Sequence, residues 1–481
     1  MTPVSPGTFL SQSHLAQLGA TVSRPAYERA GLCPGVVHFG PGAFHRVHQA
    51  WFLDKLLAQD PRWSICGVSL RSPDVRDALA PQDGLYTLAT LDEQVSYQVI
   101  GSVREVLVGR QDPKAVLDRL AAPTTHVVTM TVTEKGYSLD ASGALDTDHA
   151  DIQHDLSQPH TPGSLVGYLV EGLRRRREAR LENLTVISCD NLVDNGVRLG
   201  RAVIQFAQLR DPGLARWIED HVQFPRTMVD SITPATTTAL RERVRGVLGL
   251  EDRWPVQRES FVQWVLEDRL APQGPDWASA GVILTDDVPA YDRAKLRLLN
   301  GAHSTLAYLG LLAGHQTVAN AMADEELRSF VSTLMREDIK PTLRAPRGLD
   351  LGSYIETILQ RFRNPAIHHA LAQIASDGSQ KLPFRLLGTI ADNLAAGRPI
   401  DRLCVPIAAW MHFVRRQACR GERVSDPLAA RLFEIGLACQ NRSMSDLPAF
   451  LGLASVFAPL AQEATFTNAL ARAYDEIAAE G

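Results

Sequence analysis

One apolar helical segment, "AKLRLLNGAHSTLAYLG" (294–310), carries three polar residues that could do chemistry: Lys295, Asn300 and His303. Lysine is almost never fully buried without a partner. On an ideal α-helix Asn300 lies about 140° and His303 about 80° round from Lys295, so the three fit one arc. They line either a cleft or a helix–helix seam in which their polar groups are satisfied.

A second polar group follows an apolar run in "ISCDNLVDNG" (187–196). The carboxyl ends of parallel strands are where α/β sheets bind ligands, so we expect Asn191 to face the same cleft as the Lys295 helix. The alternative is an Asx turn that caps the next helix, and we expect Asp194 to be that cap in either case.

A lysine with an amide on either side suits the oxidation of an alcohol. Desolvation favours the neutral amine of Lys295, which can then take a proton from a hydroxyl as general base. The NH₂ groups of Asn191 and Asn300 would hold the oxyanion, and an adjacent nicotinamide ring would make the outcome a hydride transfer. This scheme needs no metal. The six cysteines include no CxxC pair, which argues against structural zinc and against a disulfide scaffold.

Composition limits the class of protein that must position these residues. A length of 481 residues predicts two domains, each with its own core. A net charge of −5 argues against nucleic acid as the main partner, and the basic run 174–177 is expected to be a solvated helix end. No apolar stretch is long enough to span a bilayer, and the N-terminal stretch lacks the pattern of a signal peptide. We therefore expect a cytoplasmic protein with no membrane partner.

The first half of the chain alternates β-rich runs with helical runs. Valine- and isoleucine-rich strands separated by helices predict a parallel sheet covered on both faces. The expected strands are 35–40, 63–70, 125–133 and 184–190, the expected helices are 43–59 and 163–179, and a hairpin is expected around 84–103.

The second half reads as successive helices with almost no β pattern, at 291–313, 324–338, 350–363, 380–396, 402–418 and 427–440. The composition changes near residue 285. We therefore expect an α/β fold in two parts: a Rossmann-like NAD-binding domain over 1–285 and an α-helical substrate-binding and catalytic domain over 286–481. A cleft between such domains is a favoured place for a small-ligand site.

The turn in "VVHFGPGAFHRVHQ" (36–49) has the strand–turn–helix context of a dinucleotide fold. Gly40 allows the tight turn, and Gly42 lets the backbone approach a pyrophosphate. His45 stands where the usual third glycine would be. The pattern alone fits a plain strand–turn–helix equally well.

A ribose-binding carboxylate should follow the second strand, and Asp74 in "RSPD" is the candidate. Such an acid accepts from the 2′-hydroxyl of NAD and repels the 2′-phosphate of NADP. Arg71 in the same loop could instead tolerate that phosphate. Asp74 could equally be a cap for the helix that follows.

Several stretches together resemble the polyol-specific long-chain dehydrogenases of the mannitol 2-dehydrogenase family. They run in family order from about residue 35 to 390 and include "HFGPGAFHRVHQAWFLDKLL", "WSICGVSLRSPD", "TVTEKGY", "SCDNLVDNG", "FPRTMVDSITP", "FVQWVLED", "KLRLLNGAHS" and "SDGSQKLP". The family carries Phe-His-Arg after the glycine turn, so the resemblance accounts for the missing third glycine. The KxxxxNxxH pattern is specific when it occurs with the upstream motifs.

The resemblance implies metal-independent, NAD-dependent oxidation of a secondary alcohol in a linear sugar alcohol to a ketose. By this resemblance Lys295 is the general base, Asn191 and Asn300 form the oxyanion pair, and His303 positions the reacting oxygen. The remaining implied contacts are with substrate, at Asp230, Lys381 and Arg385, and with cofactor, at Gly40, Gly42, Phe44, Arg46 and Asp74. The family often has two adjacent acids where this chain has Pro73-Asp74, so a strict preference for NAD is open.

The substrate is the least determined feature. The closeness of "WSICGVSLRS" and "FVQWVLED" to mannitol 2-dehydrogenases favours D-mannitol and D-fructose. The same family includes D-mannonate oxidoreductases (fructuronate reductases) and D-arabinitol 4-dehydrogenases, and Lys381 with Arg385 could bind a uronate carboxylate. A third hypothesis is a non-catalytic NAD(H) sensor that uses the glycine turn. The resemblance favours a monomer.

Overall fold

The computed structural model describes residues 7–140, 142–181 and 183–480. Residues 1–6, part of the N-terminal stretch considered above for a signal peptide, lie outside this range. The chain divides into two compact units, Met1–Pro289 and Ala290–Gly481. Within the described residues, no helix combines the length and the apolar character that a membrane crossing requires.

The N-terminal unit contains the β-structure. Its strands are β1 (Val22–Ser23), β2 (Val36–Phe39), β3 (Ile65–Ser69), β4 (Tyr86–Leu91), β5 (Ser96–Ile100), β6 (Val103–Val108), β7 (Val127–Met130), β8 (Leu184–Ser188), β9 (Val222–Gln223), β10 (Thr227–Asp230), β11 (Val256–Glu259), β12 (Gln263–Glu267) and β13 (Ile283–Thr285). Its helices are α1 (Ala43–Val47), α2 (Gln49–Asp54), α3 (Asp74–Leu79), α4 (Pro113–Leu120), α5 (Ala150–Ser157), α6 (Leu165–Glu178), α7 (Asn195–Arg210), α8 (Pro212–His221), α9 (Thr238–Leu248) and α10 (Trp277–Ala280).

The main sheet has six parallel strands in the order β6-β3-β2-β7-β8-β9. Numbered along the chain, this order is 3-2-1-4-5-6, that of a dinucleotide-binding doubly wound fold. Alternate residues of a strand face opposite sides of a sheet. Val37 and Phe39 accordingly pack in one apolar core with α4, α6 and α7, while Val36 packs in another with α2. The expected Rossmann-like sheet with both faces covered is confirmed.

Two smaller sheets complete this unit. The predicted hairpin is present as antiparallel β4 and β5, within a four-stranded sheet of order β1-β5-β4-β11. The other sheet has the order β10-β12-β13. The single helix expected over 43–59 is instead two short helices, α1 and α2, because the backbone of His48 leaves the helical region with φ −117° and ψ −92°.

The C-terminal unit is helical. Beginning with the helix that contains the boundary, its helices are α11 (Val288–Ala294), α12 (Gly301–Leu312), α13 (Val318–Ala323), α14 (Glu325–Thr333), α15 (Leu351–Arg363), α16 (Leu371–Ile374), α17 (Gly378–Leu382), α18 (Gly388–Ala395), α19 (Asp401–Cys419), α20 (Ala429–Ala438), α21 (Ser443–Leu451), α22 (Ala454–Phe457) and α23 (Ala464–Glu480). π-Helical segments join some of them, at Lys295–Asn300, Leu334–Ile339 and Pro383–Leu387. The six expected helices are present within a few residues of their predicted ends.

Candidate active site

The glycine turn after β2 uses its two glycines for different purposes. Gly40 has φ +84°, and a Cβ added to it would lie 2.2 Å from the carbonyl oxygen of Thr131. Both the conformation and the space therefore require glycine. Gly42 has φ −71°, and the nearest heavy atom to an added Cβ is the Gly40 oxygen at 3.9 Å. Because no described residue fills that space, a phosphate could approach the backbone of the turn at Gly42.

His45, at the position of the third glycine, is fully buried. Its ring stacks on that of His38 from β2, with centroids 3.4 Å apart. In dinucleotide folds the third glycine allows close helix–strand packing. Here two stacked rings fill that interface. The close approach occurs next door, where Pro41 packs against Gly67 of β3 and a Cβ at residue 67 would lie 3.1 Å from the proline.

Two residues of α1, Phe44 and Arg46, are also expected to contact cofactor, and they differ in exposure. Phe44 is half-buried and stacks on His48. Arg46 is completely buried, and its Nη1 donates to the carbonyl oxygen of Trp254 at 2.6 Å. Its guanidinium also lies over the rings of Tyr86 and Trp254. These contacts anchor α1 in the N-terminal unit and leave no surface of Arg46 for a ligand.

A cavity of about 460 Å³ opens beside the glycine turn. The ends of β2, β3 and β7 and the segment before α6 supply its walls, which include Gly40, Ser69, Leu70, Arg71, Val132, Thr133, Lys135, Gly136, Ser138, His149, Asp151, Gly163, Ser164 and Leu165. This edge holds the carboxyl ends of neighbouring parallel strands, where doubly wound sheets bind nucleotides.

The structure does not bring Asp74 into the lining of this cavity. Asp74 is exposed and is the first residue of α3. The alternative that Asp74 caps this helix is wrong, since the cap position is Pro73 and no side-chain capping bond forms. Arg71 does line the cavity, and it forms an ion pair with Asp151 at 2.9 Å.

Asp190 joins the ends of two strands at the cavity edge. Its carboxylate accepts from the backbone amides of Val132 and Thr133 at 3.1 and 2.9 Å, and from the hydroxyl of Tyr137 at 2.5 Å. Burial raises the pKa of Asp190 above its usual value. Asp190 thereby holds Thr133 in an unusual backbone conformation. Thr133 has φ 67° and ψ 165°, a region that residues other than glycine rarely adopt.

Asn191, the next residue, is exposed in the loop between β8 and α7. Asp194 occupies the cap position of α7 with φ 54°, but its side chain makes no capping bond. It accepts instead from Nε of Arg226 at 2.7 Å. The expected capping role of Asp194 is therefore wrong, because an ion pair from a distant segment competes for the carboxylate.

Asn195 is a residue that the sequence analysis missed. It is buried, and its amide nitrogen donates to the backbone carbonyls of Asp190 and Thr227 at 3.1 and 3.0 Å. Its oxygen accepts from the amide of Thr227 at 3.0 Å. Asn195 thus ties the loop after β8 to β10, whose last residue is the buried Asp230. Its position after "NLVD" carried no signal of these long-range bonds.

In the C-terminal unit, Lys295, Asn300 and His303 are all buried, with 7, 9 and 6% of their surfaces exposed. Lys295 and Asn300 are the first and last residues of a π-helical segment, and His303 follows in α12. Because this segment is π-helical, the positions that an ideal α-helix predicts for Asn300 and His303 relative to Lys295 do not apply. A turn closed by i→i+5 bonds takes nearly one residue more than an α turn, so Asn300 lies closer to the Lys295 face than an α-helix allows. π-Turns are frequent at functional sites.

His303 sits among rings and cations. Its ring centroid is 4.5 Å from that of Phe362 and 5.1 Å from that of His369, and its Nε2 has no hydrogen-bond partner among the described residues. Burial, with His369, Arg385 and Arg361 as further causes, lowers the pKa of His303 well below 6.5. The imidazole is therefore neutral at physiological pH and can donate or accept a hydrogen bond.

Lys381 and Arg385 lie on neighbouring turns, in α17 and in the π-segment after it. Lys381 donates to the carbonyl oxygen of Ser376 at 2.6 Å and so stabilises the preceding loop. Arg385 donates to Ser304 Oγ at 3.1 Å. Burial lowers the pKa of Lys381, and the positive charge of Arg385 on the next turn is the second cause.

Comparison with known proteins identifies the family of this chain. A family model described as the mannitol dehydrogenase Rossmann domain matches residues 34–279, and one described as the mannitol dehydrogenase C-terminal domain matches 287–478. The D-mannonate oxidoreductase of Escherichia coli K12 is 41% identical over 470 residues, 96% of each chain. The polyol:NADP oxidoreductase of Gluconobacter oxydans 621H is 38% identical over 420 residues, which cover 86% of this chain and 87% of that one.

Among solved structures, the Pseudomonas fluorescens mannitol 2-dehydrogenase in ternary complex with NAD and D-mannitol superposes with a TM-score of 0.84. It is 37% identical, and the match covers 98% of both chains. Both family models, the two relatives and this structural match agree on the family. The chain belongs to the mannitol dehydrogenase family of oxidoreductases.

Proposed function

We propose that this protein is an NAD-dependent dehydrogenase that interconverts a sugar alcohol and a ketose, with D-mannitol and D-fructose as the first candidates. The observation that carries the proposal is the burial of Lys295 on the same helical run as Asn300 and His303. A buried amine has a stronger tendency to be neutral than an exposed one. A neutral amine can act as a base towards a hydroxyl.

In this mechanism Lys295 takes the proton of the reacting hydroxyl. The side-chain NH₂ groups of Asn191 and Asn300 stabilise the negative charge that develops on the oxygen. His303 holds that oxygen through Nε2, which has no hydrogen-bond partner among the described residues. NAD held at the glycine turn of Gly40 and Gly42 would supply the hydride acceptor for the carbon that bears this oxygen.

The residues of the N-terminal unit fit a dinucleotide. The strand order, the positive φ of Gly40 and the space at Gly42 that no described residue fills are features that suit a bound pyrophosphate. Phe44 keeps its expected cofactor role in this proposal, whereas the complete burial of Arg46 supports an anchoring role for that residue. The solved relative in complex with NAD supports NAD as cofactor.

D-Mannitol is supported by the complex of the Pseudomonas fluorescens relative, which holds that polyol. In this proposal Asp230, Lys381 and Arg385 contact the hydroxyls away from the reacting carbon. The buried carboxylate of Asp230 is a strong acceptor for such hydroxyls.

D-Mannonate is the second candidate, and a specific observation favours it. Arg361 and Arg385 both contribute to the lowered pKa of the buried His303. Arg385 also donates to Ser304, the residue after His303, and Lys381 lies on the turn before Arg385. A cluster of cations beside the reacting group would bind the carboxylate of an aldonate. The Escherichia coli D-mannonate oxidoreductase is also 41% identical to this chain.

A substrate screen tests the proposal. Purified protein is given NAD with D-mannitol, D-arabinitol or D-mannonate, and NADH with D-fructose or D-fructuronate, and absorbance of NADH is followed. We expect turnover of D-mannitol and D-fructose. Preference for the two acids would establish the second candidate. Binding of NADH without turnover of any of the five would contradict both and favour the sensor hypothesis.

The monomer implied by the resemblance is tested separately by light scattering. A mass of one chain, unchanged when NADH is added, is the expected result. A stable dimer would contradict it.

A further inference from the structure

The cavity beside the glycine turn has a cation where an NAD-binding site usually has an acid. β3, the second strand of the parallel sheet in chain order, ends at Ser69, and Leu70 and Arg71 follow in the cavity wall. In Rossmann folds an acid near this place binds the ribose 2′-hydroxyl of NAD, whereas an arginine accommodates the 2′-phosphate of NADP. Asp74, the nearest acid along the chain, lies outside the described lining of this cavity.

An acid does reach Arg71, from a different part of the chain. Oδ2 of Asp151 lies 2.9 Å from Nη2 of Arg71, and both side chains line the cavity. Asp151 is in the first turn of α5, where Nδ1 of His149 accepts a hydrogen bond from the Asp151 amide at 3.2 Å. The helix that carries Asp151 is therefore capped by His149, and the position of the Asp151 carboxylate does not depend on Arg71 alone.

We propose that the Arg71–Asp151 pair decides the choice between NAD and NADP in this protein, an inference that rests on the proposed function. Asp151 occupies the guanidinium that a 2′-phosphate would use, and its charge repels that phosphate. The same carboxylate accepts a hydrogen bond from the 2′-hydroxyl of NAD. The Arg71 and Asp151 side chains are 74 and 36% exposed. Because an exposed ion pair is weak, a 2′-phosphate can displace Asp151 from Arg71 at a modest cost in binding free energy. The protein thus prefers NAD and uses NADP weakly.

The test is Asp151→Asn, measured with both cofactors. Removing the negative charge frees Arg71 for a phosphate and ends the repulsion. We expect kcat/KM for NADP to rise at least about tenfold relative to that for NAD, as loss of one close like-charge contact predicts. Adding Arg71→Gln to this variant should abolish the gain, because the phosphate then has no guanidinium to bind. An unchanged ratio in Asp151→Asn would overturn the proposal.

Direct binding separates this inference from the proposed function. NADH and NADPH are titrated into each variant, and dissociation constants are read from tryptophan fluorescence, without any substrate. The matched control is Asp118→Asn, which also removes an exposed ion-paired acid but one outside the described cavity lining, and which should leave the ratio of the two constants unchanged.

Each outcome bears on one claim. A wild-type protein that binds neither dinucleotide would overturn the proposed function and this inference with it. A protein that binds NADH and gains no NADPH affinity in Asp151→Asn would overturn the inference alone. A larger shift in the ratio from Asp74→Asn than from Asp151→Asn would also overturn it, because selection would then depend on the loop acid.

Discussion

The carboxylate of Asp190 accepts a hydrogen bond at 2.9 Å from the backbone amide of Thr133, across the ends of two adjacent strands. Thr133 has a backbone conformation that costs of order 1–3 kcal/mol for a residue with a side chain. Both residues stand at the edge of the sheet where the cavity opens. The hydrogen bonds to Asp190 therefore stabilise a strained loop that lines the candidate cofactor site.

Asp190→Ala should destabilise the fold by about 2–3 kcal/mol, because the amides of Val132 and Thr133 and the hydroxyl of Tyr137 lose their acceptor. The free energy of unfolding is measured by urea denaturation. In a Thr133→Gly background the same change should cost about 1 kcal/mol more, because loss of Asp190 lets Thr133 relax and recover strain, whereas a glycine has no strain to recover. Additive effects of the two substitutions would show that Asp190 does not hold the strained residue.

Substitution by alanine should affect the stability of the protein strongly at Gly40 and hardly at all at Gly42. Gly40→Ala places a Cβ 2.2 Å from the Thr131 oxygen at a positive φ, so we expect loss of more than about 2 kcal/mol of stability or no folded protein. Among the described residues, apart from the chain neighbours of Gly42, the nearest atom to the added Cβ of Gly42→Ala is 3.9 Å away, so the melting temperature should hardly change.

Binding of NADH supplies the second measurement for the glycine turn. Gly42→Ala should weaken NADH binding at least about tenfold, because the new methyl group occupies the approach to the turn. Unchanged binding in a folded Gly42→Ala protein would mean that the dinucleotide does not pass this turn.

Lys295→Ala should lower kcat by about 10²–10⁴-fold, the usual contribution of a positioned general base. NADH binding and the melting temperature should change little. Lys340→Ala removes an exposed lysine of the same unit and serves as the control. Turnover near that of the control would reject the mechanism.

Stability should fall as the pH drops below 6.5, in part because of His38. Burial lowers the pKa of His38 to about 3, so between pH 3 and 6.5 the unfolded chain binds a proton that the folded protein does not. Stability is complete above pH 6.5 and is lost as the pH falls, by about 2 kcal/mol at pH 5. Asp54, with its pKa raised by burial to about 6, acts in the opposite direction.

The contribution of His38 is isolated by His38→Gln, which keeps hydrogen-bonding groups next to Thr129 and Thr131. The difference in unfolding free energy between wild type and variant should be constant above pH 6.5 and should change in favour of the variant below it. Parallel pH profiles for the two proteins would show that His38 is not buried in its neutral form.

Local pattern was sufficient for much of the fold. The helix expected over 291–313 is present as α11, a π-segment and α12, and the strands at 36–39 and 127–130 lie inside their predicted runs. Apolar periodicity is a property of neighbouring residues, so it predicts elements and their buried faces. The same locality explains the cluster of Lys295, Asn300 and His303, which one helical run carries.

What the sequence by itself determined is therefore the order of elements, the two-part division, the glycine turn and the chemistry available on the Lys295 helix. Only the tertiary structure decided which partner each polar side chain has. Arg71 pairs with Asp151, Asp190 holds Thr133, and Arg46 anchors to Trp254. These partners are 57 to 208 residues apart in the chain. Their geometry depends on how strands and loops meet in three dimensions, and no local spacing records that.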